Sequence, residues 1–281
     1  MEPTTNPLHA AIWSAEQRRK NRRIAFVPTM GALHAGHLAL VRAAHAHGDA
    51  VAVSIFVNPL QFNNKDDLAK YPRHPEEDRR MLSEVGTQML LMPDNGALFR
   101  NFTPSEYDLN GLDGLMEGAS RPGHFQGVVN VVERLFHYVR PDVVLFGEKD
   151  RQQLAVIRHV ANQLRWPVKI VGHPTVRDPD GLALSSRNQR LSTAERQLAP
   201  VLYRALNAIK DSSFILSVED ALEAGRQLLA ETPSVELDYL TLVRPGTLQP
   251  LENWEGVQEA VALIAAQVGP VRLIDNITIT R

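Results

Sequence analysis

Two histidines three residues apart, His34 and His37, close the run Pro28-Thr29-Met30-Gly31-Ala32-Leu33-His34-Ala35-Gly36-His37, just where a helical pattern opens. At a helix start two such rings lie on roughly one face. They sit beside backbone N–H groups without intrahelical partners and at the positive end of the helix dipole, a setting that favours an anion such as phosphate. Gly36 removes a side chain where a ligand must come close. A zinc pair is the competing chemistry, but no third or fourth ligand is spaced to match. An ordinary pair of surface histidines is the plain alternative.

A second polar group is Gly147-Glu148-Lys149-Asp150, followed by Gln152 and Gln153. A lysine there can meet phosphate as a point charge, and Asp or Glu can hold ribose hydroxyls or a metal. The plain alternative is a helix start carrying carboxylates for its dipole. A third group is Leu184-Ser185-Ser186-Arg187-Asn188, whose hydroxyls and guanidinium suit polyphosphate oxygens; the same residues also make a turn and a helix cap. Two further polar runs interrupt apolar surroundings: Asn58-Pro59-Leu60-Gln61-Phe62, and Arg121-Pro122-Gly123-His124-Phe125 with Glu117 four residues upstream. The amides of Gln61 and Gln153 suit the hydroxyls and carboxylates of a small polar substrate, although either glutamine alone also has a structural reading.

These groups need a scaffold, and the apolar pattern supplies one. Short strands are expected at 24–27, 50–57, 88–92, 142–146 and 168–171, with helices at 36–47, 75–85, 127–139 and 152–164. The Val- and Ile-rich run at 50–57 suits a strand buried on both faces. Alternation of strand and helix predicts βαβ units, hence a Rossmann-like, doubly wound α/β sheet that binds ligands at the carboxyl ends of its strands. Every polar group named so far except Arg121 and the serines follows such a strand. Before the sheet, an amphipathic stretch carries Leu8, Ile12 and Ala15, and the basic run Arg18, Arg19, Lys20, Arg22 and Arg23 reads as a solvated helix end. After Val171 the rhythm changes: a polar loop at 173–190, helices at 193–211 and 218–231, and strands at 235–243, 260–268 and 271–275. The expected division is a domain of residues 1–172 and a smaller C-terminal α+β domain, 173–281, with an antiparallel sheet.

The chain has 281 residues, 44% of them apolar and 22% charged, enough for one large domain or two modest ones. Thirty Lys+Arg against 32 Asp+Glu give a net charge of −2, which argues against a surface built to grip nucleic acid. There is no cysteine, so disulfides, thiolate zinc and cysteine nucleophiles are excluded. No run approaches the ~18 apolar residues of a membrane span, and the N-terminus lacks a signal-peptide pattern. A cytoplasmic protein is expected.

Taken in order, these motifs resemble those of the pantothenate synthetase (pantoate–β-alanine ligase) family. The run ending in His34-Ala35-Gly36-His37 is similar to its form of the nucleotidylyltransferase His-x-Gly-His signature. Ser54 to Phe62, Glu117 to Phe125, Phe146 to Asp150, Ser185 to Asn188 and Leu273-Ile274-Asp275-Asn276 match further signatures. The departures are Arg151, where an aromatic residue is usual, and Leu184, where Met is common.

The resemblance implies an ATP-dependent ligation in two steps: pantoate attacks the α-phosphorus of ATP to give pantoyl adenylate and pyrophosphate, then β-alanine attacks the acyl carbon, releasing AMP. It implies that His34 and His37 hold the ATP phosphates, with His37 as proton donor, and that Lys149 neutralises charge on the α-phosphate. Met30, Gly31, Gly36, Gly147, Asp150, Val176 and Leu184 would border the nucleotide, and Ser185, Ser186 and Arg187 would close over its phosphates. Gln61, Gln153, Asn58, Arg121 and Tyr71 would bind the acid substrates. Mg²⁺ would be held mainly through phosphate oxygens, and the protein would be a homodimer formed through the larger domain. The alternatives are another adenylate-forming or nucleotidyl-transfer enzyme on this scaffold, or a non-catalytic ATP-binding module.

Overall fold

The computed structural model describes residues 2–63 and 65–281; Met1, part of the N-terminal reading above, and Asn64 lie outside the described residues. By internal contacts the chain divides into two compact units, one built from the chain up to Glu148 with Gln152–Pro174, the other from Lys149–Arg151 with Thr175–Arg281. The three residues just beyond the fourth strand thus group with the second unit.

The first unit holds a five-stranded parallel sheet of β1 (Ile24–Thr29), β2 (Ala50–Ile55), β3 (Met89–Leu91), β4 (Val143–Gly147) and β5 (Lys169–His173). Their order is β3-β2-β1-β4-β5, the doubly wound arrangement that the strand–helix alternation requires. β1 runs beside β2 in unbroken register from Ile24/Ala50 to Thr29/Ile55, so the loops after both strands leave the same edge. Five of the six β2 residues are fully buried, as expected of a strand covered on both faces. Ala25, Val27, Val51, Val53, Leu90 and Leu145 make one core with Leu40, Val41 and Leu82 from two crossover helices.

The second unit is a three-stranded antiparallel sheet, β6 (Val235–Val243), β7 (Glu259–Val268) and β8 (Val271–Thr280), with β7 in the middle. Alternate β7 residues Ala260, Ala262, Ile264, Ala266 and Val268 join one core with Leu202, Leu206 and Ile209 of the helix Val201–Ser212 and Leu222 and Leu229 of the helix Val218–Ala230. Period-two burial against a helical layer is the physical content of the α+β reading. Among the described residues no helix is long and apolar enough to cross a membrane.

Beyond ends that move by a few residues, as where the first crossover helix stops at Ala44 rather than 47 and β2 at Ile55 rather than 57, four local expectations need correction. The helix expected at 193–211 is two, Thr193–Leu198 and Val201–Ser212, because Pro200 has no N–H to continue the first. The helix expected from 127 begins at His124, entered through Gly123 at φ 78°. β8 runs on to Thr280, its Ile277-Thr278-Ile279-Thr280 alternation pairing with β7 from Ala262 back to Glu259. In the N-terminal helix Pro7–Arg19 the buried face is Pro7, Ala10, Ser14 and Gln17, whereas Leu8 and Ile12 are 60% and 56% exposed. Small residues win that face: the Ser14 hydroxyl donates to the Val139 carbonyl at 2.6 Å, a close approach that a leucine would prevent.

Candidate active site

β1 ends at Thr29, and the chain turns through Gly31 at φ 80° and Ala32 at φ 49° before His34 caps the helix Ala35–Ala44. Two successive left-handed residues are costly for any residue but glycine. A Cβ on Gly31 would also come within 2.9 Å of the Ile55 Cγ2 and 3.0 Å of the Asp78 Oδ2, so this position is confined as well as twisted. The helix start is a reciprocal box made by two imidazoles. The Gly36 N–H donates to His34 Nδ1 at 3.2 Å, and the His34 N–H donates to His37 Nδ1 at 3.4 Å. The rings lie 4.1 Å apart, tilted by 40°. With Nδ1 accepting, a neutral ring carries its proton on Nε2. The backbone therefore sets one tautomer on both rings and makes each Nε2 a donor, which is the form that can serve phosphate oxygens.

What holds this turn was not legible in the motif. Asp78, in the helix Pro75–Glu84 and only 1% exposed, accepts from the Ala32 N–H at 2.9 Å and the Leu33 N–H at 2.7 Å. Burial raises its carboxyl above the ordinary range, while the two backbone donors and His74 pull it back and Glu77 adds to the rise. A buried carboxylate with both oxygens on consecutive amides is a clamp on the approach to His34. In the sequence Asp78 is one of three first-turn acids of that helix, beside Glu76 and Glu77, and looks like part of the same charge pattern for the dipole. Nothing about its spacing to the histidines reveals it.

A second cluster forms after β2. Asn58 caps the short turn Pro59–Gln61 through the Leu60 N–H and sends its amide protons to the Gly127 carbonyl at 3.0 Å and Gln61 Oε1 at 3.1 Å. The Gln61 Nε2 donates to the Met30 sulfur at 3.0 Å, so the expected substrate glutamine and the expected nucleotide turn are in contact. The Gln61 carbonyl accepts from Arg121 at 3.1 Å and lies 2.8 Å from His124 Nδ1. Arg121 is also 3.8 Å from the buried Glu117 carboxylate. Gly127 permits all this, since a Cβ there would overlap the Leu60 carbonyl. Tyr71 is buried edge-on to Phe62, ring centres 5.8 Å apart. The two glutamines after Lys149 divide: Gln152 is buried and structural, bonded to the Leu112 and Leu115 carbonyls and the Glu117 N–H, while Gln153 is half-buried. Gly147 ends β4 with open space where a Cβ would stand.

Within the second unit, Lys149 Nζ is 3.4 Å from Asp150 Oδ1. Val176 and Leu184 are paired across a hairpin, the Leu184 N–H donating to the Val176 carbonyl at 3.0 Å, so two residues expected at the nucleotide sit side by side. Ser185 caps the turn Ser186–Arg190 by accepting from the Arg187 N–H at 3.3 Å. The run is therefore a capped turn, the plain reading of these residues, with Arg187 inside it. Arg177 grips the buried Asp275 with two bonds, 2.6 and 2.9 Å, and stacks over Tyr203 at 4.1 Å. Burial raises the Asp275 carboxyl and Arg177 opposes that rise.

Comparison with known proteins places this geometry. Residues 4–278 match the family described as pantoate-beta-alanine ligase. The pantothenate synthetase of Thermus thermophilus is 48% identical over 258 residues, covering 91% of this chain and 93% of that protein. That of Cytophaga hutchinsonii is 43% identical over 267 residues, 94% of each. A crystal structure of the Thermus thermophilus protein superposes with a TM-score of 0.91 at 45% identity, covering 99% of both chains. The pantoate-beta-alanine ligase of Francisella tularensis, solved with beta-gamma ATP and β-alanine, gives 0.80 at 33% identity over 99% of this chain and 97% of its own.

Proposed function

This chain belongs to the pantoate–β-alanine ligase family and condenses pantoate with β-alanine at the expense of ATP; from that premise we propose how its residues divide the chemistry. A free carboxylate is a poor electrophile, so pantoate first displaces pyrophosphate from the α-phosphorus, and its acyl carbon then carries a good leaving group. Negative charge grows on the phosphoryl oxygens and on the departing pyrophosphate in that first step. His34 and His37 meet it with Nε2–H donors, His37 supplying the proton-donating contact, and both are fixed in place before substrate arrives.

Lys149 neutralises the α-phosphoryl oxygens, and Arg187 with Ser185 and Ser186 supplies further donors to the polyphosphate. Met30, Gly31, Gly36, Gly147, Asp150, Val176 and Leu184 border the nucleotide. Gln61 and Gln153 hold pantoate by its hydroxyls and carboxylate, with Gln61 also near β-alanine, and Arg121 and Tyr71 line the same substrate region. Asn58 acts through Gln61, whose Oε1 it holds. Mg²⁺ would be held through the phosphate oxygens of bound ATP rather than by a protein cage. When bound it screens the charge between phosphate and incoming carboxylate. A cytoplasmic homodimer formed through the larger unit completes the proposal, and sedimentation would test the dimer.

The observation that supports this division most directly is the imidazole box, because a ring whose Nδ1 accepts from a backbone N–H has its donor at Nε2, beside a helix N-terminus. The test is ATP–pyrophosphate exchange with each acid supplied separately. Exchange with pantoate alone is expected. Exchange that needs β-alanine, or that proceeds with β-alanine alone, would overturn the two-step order.

A further inference from the structure

Lys149 lies in the single turn Glu148–Asp150, too short to fix a lysine by its own hydrogen bonds. Its carbonyl is instead taken by a residue far along the chain: the Asn276 Nδ2 donates to the Lys149 oxygen at 2.9 Å. The other end of the same amide faces Arg151, whose Nε stands 3.4 Å from Asn276 Oδ1, while the second arm of Arg151 reaches Thr278 Oγ1 at 2.5 Å. One carboxamide therefore joins two residues of the 149–151 stretch to the middle of β8, all within the second unit.

Asn276 is itself held at every polar atom. It is 4% exposed. Its N–H donates to Asp275 Oδ1 at 2.7 Å, and its carbonyl accepts from Arg177 at 3.0 Å. Asp275 in turn is gripped twice by Arg177, and β8 is paired along its whole length with β7, Asn276 standing opposite Leu263. The path from a rigid strand to the Lys149 backbone is thus one side chain long. Arg151 has a role here as well: by occupying Oδ1 it orients the amide so that the NH₂ faces Lys149, which a flipped amide could not satisfy.

We propose that Asn276 is the positioning residue for Lys149, with Arg151 setting the orientation of its amide. The inference rests on the assignment of Lys149 to the α-phosphate. A point charge is effective only where its placement is fixed in advance, so loss of this anchor should cost the step that uses the charge and spare the step that does not.

The test is a double-mutant cycle read in both half-reactions: pantoate-dependent exchange, and conversion of supplied pantoyl adenylate with β-alanine. Asn276→Ala should slow exchange about tenfold or more and leave the second half-reaction within about twofold. In the Lys149→Met background the same change should cost less than about twofold, since the charge it positions is gone. Arg151→Ala, which leaves Asn276 in place, should slow exchange by a few-fold and keep the melting temperature, covering the case in which Asn276→Ala folds poorly. Equal losses in both half-reactions, or losses that multiply fully in the double variant, would make Asn276 a structural residue and overturn the proposal. Wild-type exchange in Lys149→Met would instead strike the assignment of Lys149, and the inference would fall with it.

Discussion

Asp78→Asn isolates the clamp on the histidine turn. Asparagine matches aspartate in shape, yet offers one acceptor oxygen where two backbone N–H groups, of Ala32 and Leu33, now each have one. One charge-assisted bond is lost outright, about 1.5–3 kcal/mol, and its N–H then faces the new NH₂. Against this stands the relief of burying a carboxylate, a cost visible in the raised position of the Asp78 carboxyl. A net local loss of about 2 kcal/mol follows, or roughly thirtyfold in the occupancy of the competent turn. Exchange at low ATP should therefore fall by about ten- to thirtyfold, with little change in the conversion of supplied adenylate.

The pH dependence separates this from unfolding. The folded carboxyl lies above its ordinary 3.8, so the folded protein binds that proton more tightly than the unfolded chain does. Its contribution to stability is fully present below 3.8 and is lost as pH rises through the raised value. Acidification through that window should thus weaken exchange, because a neutral carboxyl grips the two amides less well, without this group unfolding the protein. The Asn variant should lack that acidic limb. A folded Asp78→Asn protein with wild-type exchange and ATP affinity would refute the clamp.

Three further outcomes are expected. His37→Ala should slow adenylate formation by about a hundredfold or more with ATP saturating, the usual cost of removing one transition-state donor, as measured by single-turnover quench flow. Gly127→Ala should push the Leu60–Gln61 backbone away from the helix His124–Val139, raising the KM for pantoate and lowering stability by about 1–3 kcal/mol in urea melts. Asp180 is held below the ordinary carboxylate range chiefly by its bond to Arg196, so its contribution to stability is present above pH 3.8 and lost as pH falls through the lowered value; Asp180→Asn and wild type should differ at pH 7 and converge in denaturant melts as the pH is taken down through that lowered value.

The parts legible in the sequence were those whose signal is local. β2 announced itself by six apolar or small residues in a row, and the His34/His37 pair by a three-residue spacing at a helix start; that the two rings accept from backbone N–H groups was not read from it. The exposure of Leu8 and Ile12 was not legible, because an apolar stripe says only that a face is suited to burial. Which face is buried was decided by how closely Ser14 allows the Val139 carbonyl to approach. The break at Pro200 was legible in principle and outweighed by the apolar period on either side.

The contacts that the sequence did not disclose share one physical character, although Asn276 stands in a run that the resemblance had already picked out. Asp78 and Asn276 grip backbone, the first at 32–33 and the second at 149, and each lies on an element remote in sequence from what it holds. A side chain that contacts substrate must match the substrate, so its type and its place in a motif carry information. A side chain that fixes a main-chain atom needs only an acceptor or a donor at the right distance, and many residues could serve. Yet the first turn cannot be left to its own preferences. Gly31 and Ala32 both stand at positive φ, where an L-residue such as Ala32 gains nothing, and the neighbouring histidines are useful only when their Nδ1 atoms meet the N–H groups that this turn presents. The tautomer of two side chains is therefore set by the backbone, and the backbone is set in turn by a carboxylate more than forty residues away in sequence.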